Sequence, residues 1–274
     1  MSSLLNNPAI QTAAAPFIVA LLIALILRPL GRYRSGVAVM AGMLTTLALA
    51  IGFQFSPLTS TRKIVLTALI LIPLAAALTV PKLSWRMLAP VLAVLAAGVT
   101  LWVIWPVLGR QEGSGYWIML LASIAYSGWL AAGLDRLHTS PEPALPAALT
   151  LALGTGMAAL LGASAILGQM AMAMGAATGA VALVHLFTTR EPAERLLTVP
   201  VAVLSGVLGV AATIYAKVPW FALLPLAIIP ALGYLPLPVR FGDRVKLVVY
   251  GLIMLVAMIV AVVLTWYSAG GLAV

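Results

Sequence analysis

Residues 145–187 read LPAALTLALGTGMAALLGASAILGQMAMAMGAATGAVALVHLF. Two apolar runs carry small residues at every fourth position: Gly154, Ala158 and Gly162 in the first, Ala171, Gly175 and Gly179 in the second. Four-residue spacing puts each set on one helix face. Helices in a bilayer gain nothing by hiding apolar side chains from lipid; they associate through close backbone approach, so such ladders mark helix-packing faces. The stretch predicts a central hairpin of two spans, 145–167 and 170–188, turning at Gly168 and Gln169, with the other spans packed around it.

Composition agrees with a membrane setting. The chain has 274 residues, 64% hydrophobic and 8% charged, with a mean hydropathy of +1.16. Soluble domains carry about 25% charged residues. A span needs about 20 apolar residues, which predicts an all-α, polytopic helical bundle of about ten transmembrane helices in one domain, 1–274. The spans fall near 13–30, 36–55, 64–80, 87–108, 116–134, 145–167, 170–188, 196–216, 219–237 and 245–267. The first run follows no positive n-region and is not followed by a cleavage pattern, so it reads as a retained span.

The basic residues test this count. With the N-terminus outside, one face collects Arg28, Arg32, Arg34, Lys82, Arg86, Arg136, Arg190, Arg195, Arg240, Arg244 and Lys246, and the other only Arg62, Lys63, Arg110 and Lys217. Eleven against four is the bias of a cytoplasmic face. It predicts a bacterial cytoplasmic (inner) membrane protein with both termini on the non-cytoplasmic side. Trp102, Trp105, Trp117, Trp220, Trp266 and Tyr267 fall at the opposite ends of the spans, where amphipathic rings prefer the headgroup zone. The net charge of +9 comes as isolated loop residues rather than a basic stripe, so no nucleic acid partner is expected.

A parallel repeat of four spans each, 1–4 and 7–10, is suggested by two offsets. Ile72-Pro73 with Pro81 recurs as Ile229-Pro230 with Pro238; Val19-Ala20-Leu21 through Arg28-Pro29 recurs as Val181-Ala182-Leu183 through Arg190-Glu191-Pro192. A proline inside a span frees a carbonyl and is tolerated where packing or water re-satisfies the backbone. Paired interrupted spans at corresponding positions point to a midplane site in secondary transporters. The candidate substrate-binding residues are therefore Pro73, Pro230, Gly233 and Tyr234. His185, the only histidine inside an apolar run, joins them, although a histidine in a last helical turn also satisfies carbonyls there.

Other chemistry is sparse. All six carboxylates, including Asp135, fall in predicted loops, which argues against a carboxylate-coupled pump. Cysteine is absent. Met170 and Met174, four residues apart, share a helix face as a soft-metal site requires, yet Met172 points elsewhere and methionine commonly fills irregular apolar gaps. Ser164 and His185 fall near opposite ends of their spans and are too far apart in depth for a dyad. No enzyme activity, catalytic residue, metal or cofactor is expected. The function expected is permease-like transport of a small neutral or amphipathic solute. The alternative is a non-transporting membrane subunit or scaffold that binds a partner membrane protein or lipid.

Overall fold

The computed structural model describes residues 7–27, 34–53, 56–79, 84–188, 194–238 and 240–270. Arg28, Pro29, Arg32, Pro81, Lys82, Arg190, Glu191 and Pro192, used above for the charge count and the repeat, lie outside these. Among the described residues every regular element is helical: α1 (Ala15–Ile26), led in by a π-helical turn at Ile10–Ala14; α2 (Arg34–Thr46), continued by a π turn at Leu47–Ile51; α3 (Ser60–Thr79); α4 (Trp85–Leu108); α5 (Ser114–Asp135); α6 (Pro141–Leu161); α7 (Ala165–Thr188); α8 (Arg195–Tyr215); α9 (Trp220–Leu232); and α10 (Asp243–Ser268). Seven of them, α3 to α8 and α10, are long and apolar enough to cross a membrane; α1, α2 and α9 are shorter apolar helices. The chain is thus a helical bundle of membrane type.

Consecutive helices run antiparallel, so the bundle has two unlike ends. At one end Ser60 at the start of α3 hydrogen-bonds the Val103 carbonyl near the end of α4 (3.1 Å) and the Tyr215 phenol closing α8 (3.0 Å). Lys63 donates to the Trp102 carbonyl there (2.7 Å) and lies 5.1 Å from that indole ring. This is the aromatic end. The other holds Arg136, Arg195, Arg244 and Lys246 and is the basic end.

The centre is α8. Nearly nine-tenths of its apolar window is buried, and it packs against α2, α3, α4, α5, α6 and α7. The predicted hairpin does form, as α6 and α7, but it is one wall around α8. Its turn lies at Gly162-Ala163-Ser164, six residues before the predicted one, and Gly168 and Gln169 are inside α7. Ala163 takes a left-handed φ of 71°, its N–H reaches the Leu160 carbonyl (3.1 Å), and the Ser164 N–H reaches that of Ala159 (3.0 Å). These are the two bonds of a Schellman cap, a position that glycine usually fills. With alanine there the stop signal is hidden, and Gly168 offers itself instead.

Gly168, an apparent hinge, is a packing residue: a Cβ on it would lie 2.4 Å from Leu160. Gly175 meets Leu153 and Gly179 meets Leu149 in the same antiparallel register, while Gly156 of α6 meets Met172. The second ladder therefore faces the first arm. The first ladder faces elsewhere: Gly154 lies against Leu226 of α9 and Met258 of α10, and Gly162 against the Ala216 carbonyl at the end of α8. Ala158 and Ala171 are fully buried. The proposed four-span copies pack differently within themselves: α1 lies along α2, whereas α7 and α8 touch only briefly.

A Cβ on Gly162 would sit 2.3 Å from the Ala216 carbonyl oxygen, a backbone atom, whereas one on Gly98 would meet nothing within 4 Å. Gly162→Ala is expected to lower unfolding free energy by about 1–3 kcal/mol through overpacking. Gly98→Ala should stay within about 0.5 kcal/mol of the parent. Equilibrium unfolding in mixed micelles measures both.

Candidate functional site

Asp135 is the last residue of α5 and Arg195 the first of α8. The Arg195 Nε donates to Asp135 Oδ1 at 3.0 Å, with the side chains 5% and 0% exposed. Arg195 Nη1 also reaches the Leu78 carbonyl of α3 at 3.4 Å. One guanidinium thus joins three helices at the basic end. The sequence reading placed Asp135 and Arg195 in solvated loops and found no carboxylate within the bundle; the structure corrects this. Helix α5 extends one residue beyond the predicted end, and its partner arrives from 60 residues away, a pairing that no local pattern displays. A buried ion pair depends on its geometry, because removing either partner strands the other charge away from water.

From this pair a polar stripe runs along α8. Arg195, Thr198, Ala202, Ser205 and Gly209 recur at alternating steps of three and four, which keeps them on one face. That face meets α5: a Cβ on Gly206 would lie 3.1 Å from Ser127, and one on Gly209 would lie 3.0 Å from the Tyr126 ring. The Tyr126 phenol also faces the Thr155 hydroxyl of α6 without reaching hydrogen-bond geometry.

The hydroxyls of this stripe differ from others in the bundle. Thr67, Thr100, Thr150, Thr178 and Thr265 each donate to the carbonyl four residues back, at 2.7–2.9 Å. This is the ordinary way for a buried threonine to be satisfied within its own helix. The hydroxyls of Thr155, Thr198, Ser205 and Tyr126, and the second carboxylate oxygen of Asp135, are buried with no hydrogen-bond partner. A buried polar atom without a partner costs about 1–3 kcal/mol, so such groups call for water or a ligand. Ser205 stands ten residues into α8, about 15 Å from Arg195 at 1.5 Å per residue. That is half of a hydrocarbon core of about 30 Å.

A second polar feature opens beside the ion pair, where α5 and α9 end and α6 and α10 begin. It is a cavity of about 330 Å³ lined by Arg136, Ser140, Glu142, Tyr234, Lys246 and Tyr250 among others. The Tyr234 phenol donates to the Gly133 carbonyl, and the Arg136 guanidinium lies 4.4 Å from the Tyr234 ring centre. Tyr250 donates to the Leu235 carbonyl at 2.7 Å.

The predicted site residues are only partly brought together. Gly233 and Tyr234 line this cavity. Pro230 is buried against Gly133, where a Cβ would be 2.9 Å away. Pro73 lies on the outward, exposed side of α3, and α3 and α9 share no substantial packing. His185 is half-buried in the last turn of α7. Met170 and Met174 are fully buried, and Met172 packs against Gly156. No cluster of three metal-ligating His, Asp or Glu side chains occurs among the described residues.

Asp135→Ala is expected to cost about 3–5 kcal/mol of stability, because Arg195 is left buried and unpaired. The double variant Asp135→Leu/Arg195→Met should recover most of that loss. A double-mutant cycle by unfolding in micelles measures the coupling. No protein-family model matches the chain and no curated protein is similar to it in sequence, so its function has to be read from the chemistry of its own residues.

Proposed function

We propose that the protein is a permease-like carrier for a small neutral, hydrogen-bonding solute that passes along the seam between α5 and α8. In this reading all ten helical segments cross the bilayer. The basic end faces the cytoplasm of a bacterial inner membrane, as the concentration of lysine and arginine there suggests, and both chain ends lie on the opposite side.

One observation carries the proposal: a file of buried hydroxyls, Thr198 and Ser205 without partners and Tyr126 and Thr155 facing each other, leads from a buried ion pair to mid-depth in an otherwise apolar bundle. Hydroxyls donate and accept without carrying charge, which suits a neutral solute that must leave its hydration shell. Ionisable residues within membrane bundles commonly mark such pathways. The Asp135–Arg195 pair stands where the file meets the basic end and would act as its gate. Gly206 and Gly209, packed on Ser127 and Tyr126, hold the seam closed in this conformation, so passage requires α5 to move relative to α8. The site differs from the midplane pocket expected between Pro73 and Pro230.

The chain has no cysteine, so a single introduced thiol reports access cleanly. Ser205→Cys in proteoliposomes should react with a membrane-impermeant thiosulfonate, while Val260→Cys on the outward face of α10 should not. Uptake of glycerol and urea, followed by light scattering, should exceed that of empty liposomes for at least one of them. Thr198→Val with Ser205→Ala should reduce it at least about tenfold, equivalent to 1.4 kcal/mol of barrier. An unreactive Ser205→Cys together with no flux of either solute would sink the reading.

A further inference from the structure

The cavity where four helix ends meet at the basic end is separate from the α5–α8 seam, and its charges are arranged unusually. Its wall carries two cations, Arg136 and Lys246, and one carboxylate, Glu142. Lys246 and Glu142 are both half-buried, and they form no ion pair although they line one cavity. Opposite charges that face a shared space without closing on each other leave room for a ligand carrying both signs.

The cavity is also rigid where a ligand would touch it. Both tyrosines are fixed by donating to backbone carbonyls, Tyr234 to Gly133 and Tyr250 to Leu235. The Arg136 guanidinium is held over the Tyr234 ring. Side chains already locked lose little freedom on binding. Each phenol oxygen retains acceptor capacity after donating. Lys246 stands in the first turn of α10, whose positive dipole end favours an anion there.

We propose that this cavity binds the phosphate–ammonium headgroup of an aminophospholipid from the adjoining leaflet, phosphate between Arg136 and Lys246 and ammonium at Glu142. An arginine and a lysine together suit a phosphodiester. Glu142 supplies the selectivity: it repels a headgroup that is only anionic and pairs with one that carries an amine.

Two placements assign the headgroup to a lipid rather than a dissolved solute. The cavity lies at the basic end, at the level of the headgroups when the seven long helices span a bilayer. Along the same helices, α5 and α9, an apolar groove of about 590 Å³ runs toward the aromatic end, lined by Ile118, Trp129, Phe221 and Leu224. Trp129 donates to the Ala227 carbonyl at 2.6 Å and pins the two helices there. It stands seven residues from Arg136, about 10 Å at 1.5 Å per residue. That distance is within the roughly 15 Å that one leaflet's chains occupy. A lipid seated by its headgroup can therefore lay an acyl chain against the near end of the groove.

Native mass spectrometry of the full chain in detergent tests this with dioleoyl phosphatidylethanolamine, dioleoyl phosphatidylglycerol and soluble glycerophosphoethanolamine. The ethanolamine lipid should bind about tenfold more tightly than the glycerol lipid, the size of one charge-assisted hydrogen bond. Glu142→Gln should abolish that preference, and Lys246→Ala should weaken both lipids. The water-soluble headgroup should not compete at a hundredfold excess. Equal binding of the two lipids by the unaltered chain, which requires no variant to fold, overturns the proposal. So does a preference that survives Glu142→Gln, or effective competition by the soluble compound. Thr198→Val with Ser205→Ala should leave lipid binding unchanged, so failure of the solute pathway and failure of the lipid site are told apart.

Discussion

A helix enclosed on every side can meet its neighbours closely only where one member of each contact is small, and α8 is under that constraint along its whole length. Gly36 of α2 admits Leu196, Gly206 and Gly209 admit α5, and Arg195 meets Asp135 and the end of α3. Close backbone approach, not the exclusion of water, is what can hold such an assembly together in lipid. The remaining helices take their positions from it: α5, α6 and α7 around α8, α1 and α2 against α7, and α9 and α10 against α6.

Much of this was legible in the sequence because the bilayer limits what a chain can do. Nearly every predicted span has a helix within a few residues of it, since twenty apolar residues between polar stops have few other solutions. Glycines of both ladders lie against side chains or carbonyls of other helices. What failed was the partner of each face. Spacing alone says that Gly154 and Gly162 meet something closely; it does not say that they meet α9, α10 and the end of α8 rather than the adjacent α7. The hairpin turn was misplaced for a local reason, an alanine in a backbone conformation that normally advertises itself through glycine. Span nine ends early for another. Two prolines within α9 weaken it, and Gly233-Tyr234 turns the chain where apolar composition alone continued the helix.

The chemistry was less legible than the fold. Asp135 and Arg195 each border a loop in the sequence, where charges are ordinary. Their burial follows from the meeting of α5 and α8, which depends on every helix between them. The unpartnered hydroxyls were invisible for a similar reason, because serine and threonine in apolar helices usually bond their own backbone. Whether Thr198 does so is decided by packing, not by composition. A sequence signal did exist in the steps of three and four from Arg195 through Thr198 to Ser205, but on a helix surrounded by others such a stripe has meaning only once its opposite face is known.

The brevity of α9 has a consequence for the proposed orientation in the bilayer as well as for the fold. Thirteen residues make a helix of about 20 Å, against a hydrocarbon core of about 30 Å. A short apolar segment is accommodated by local thinning of the bilayer or by bringing interfacial groups inward. In the proposed reading, where α9 also crosses the bilayer, the headgroup plane dips toward the bundle beside it, and water and phosphates dip with it. On that reading the protein indents the surface beside its charged cavity, bringing the headgroup region to depths where the neighbouring helices still face hydrocarbon.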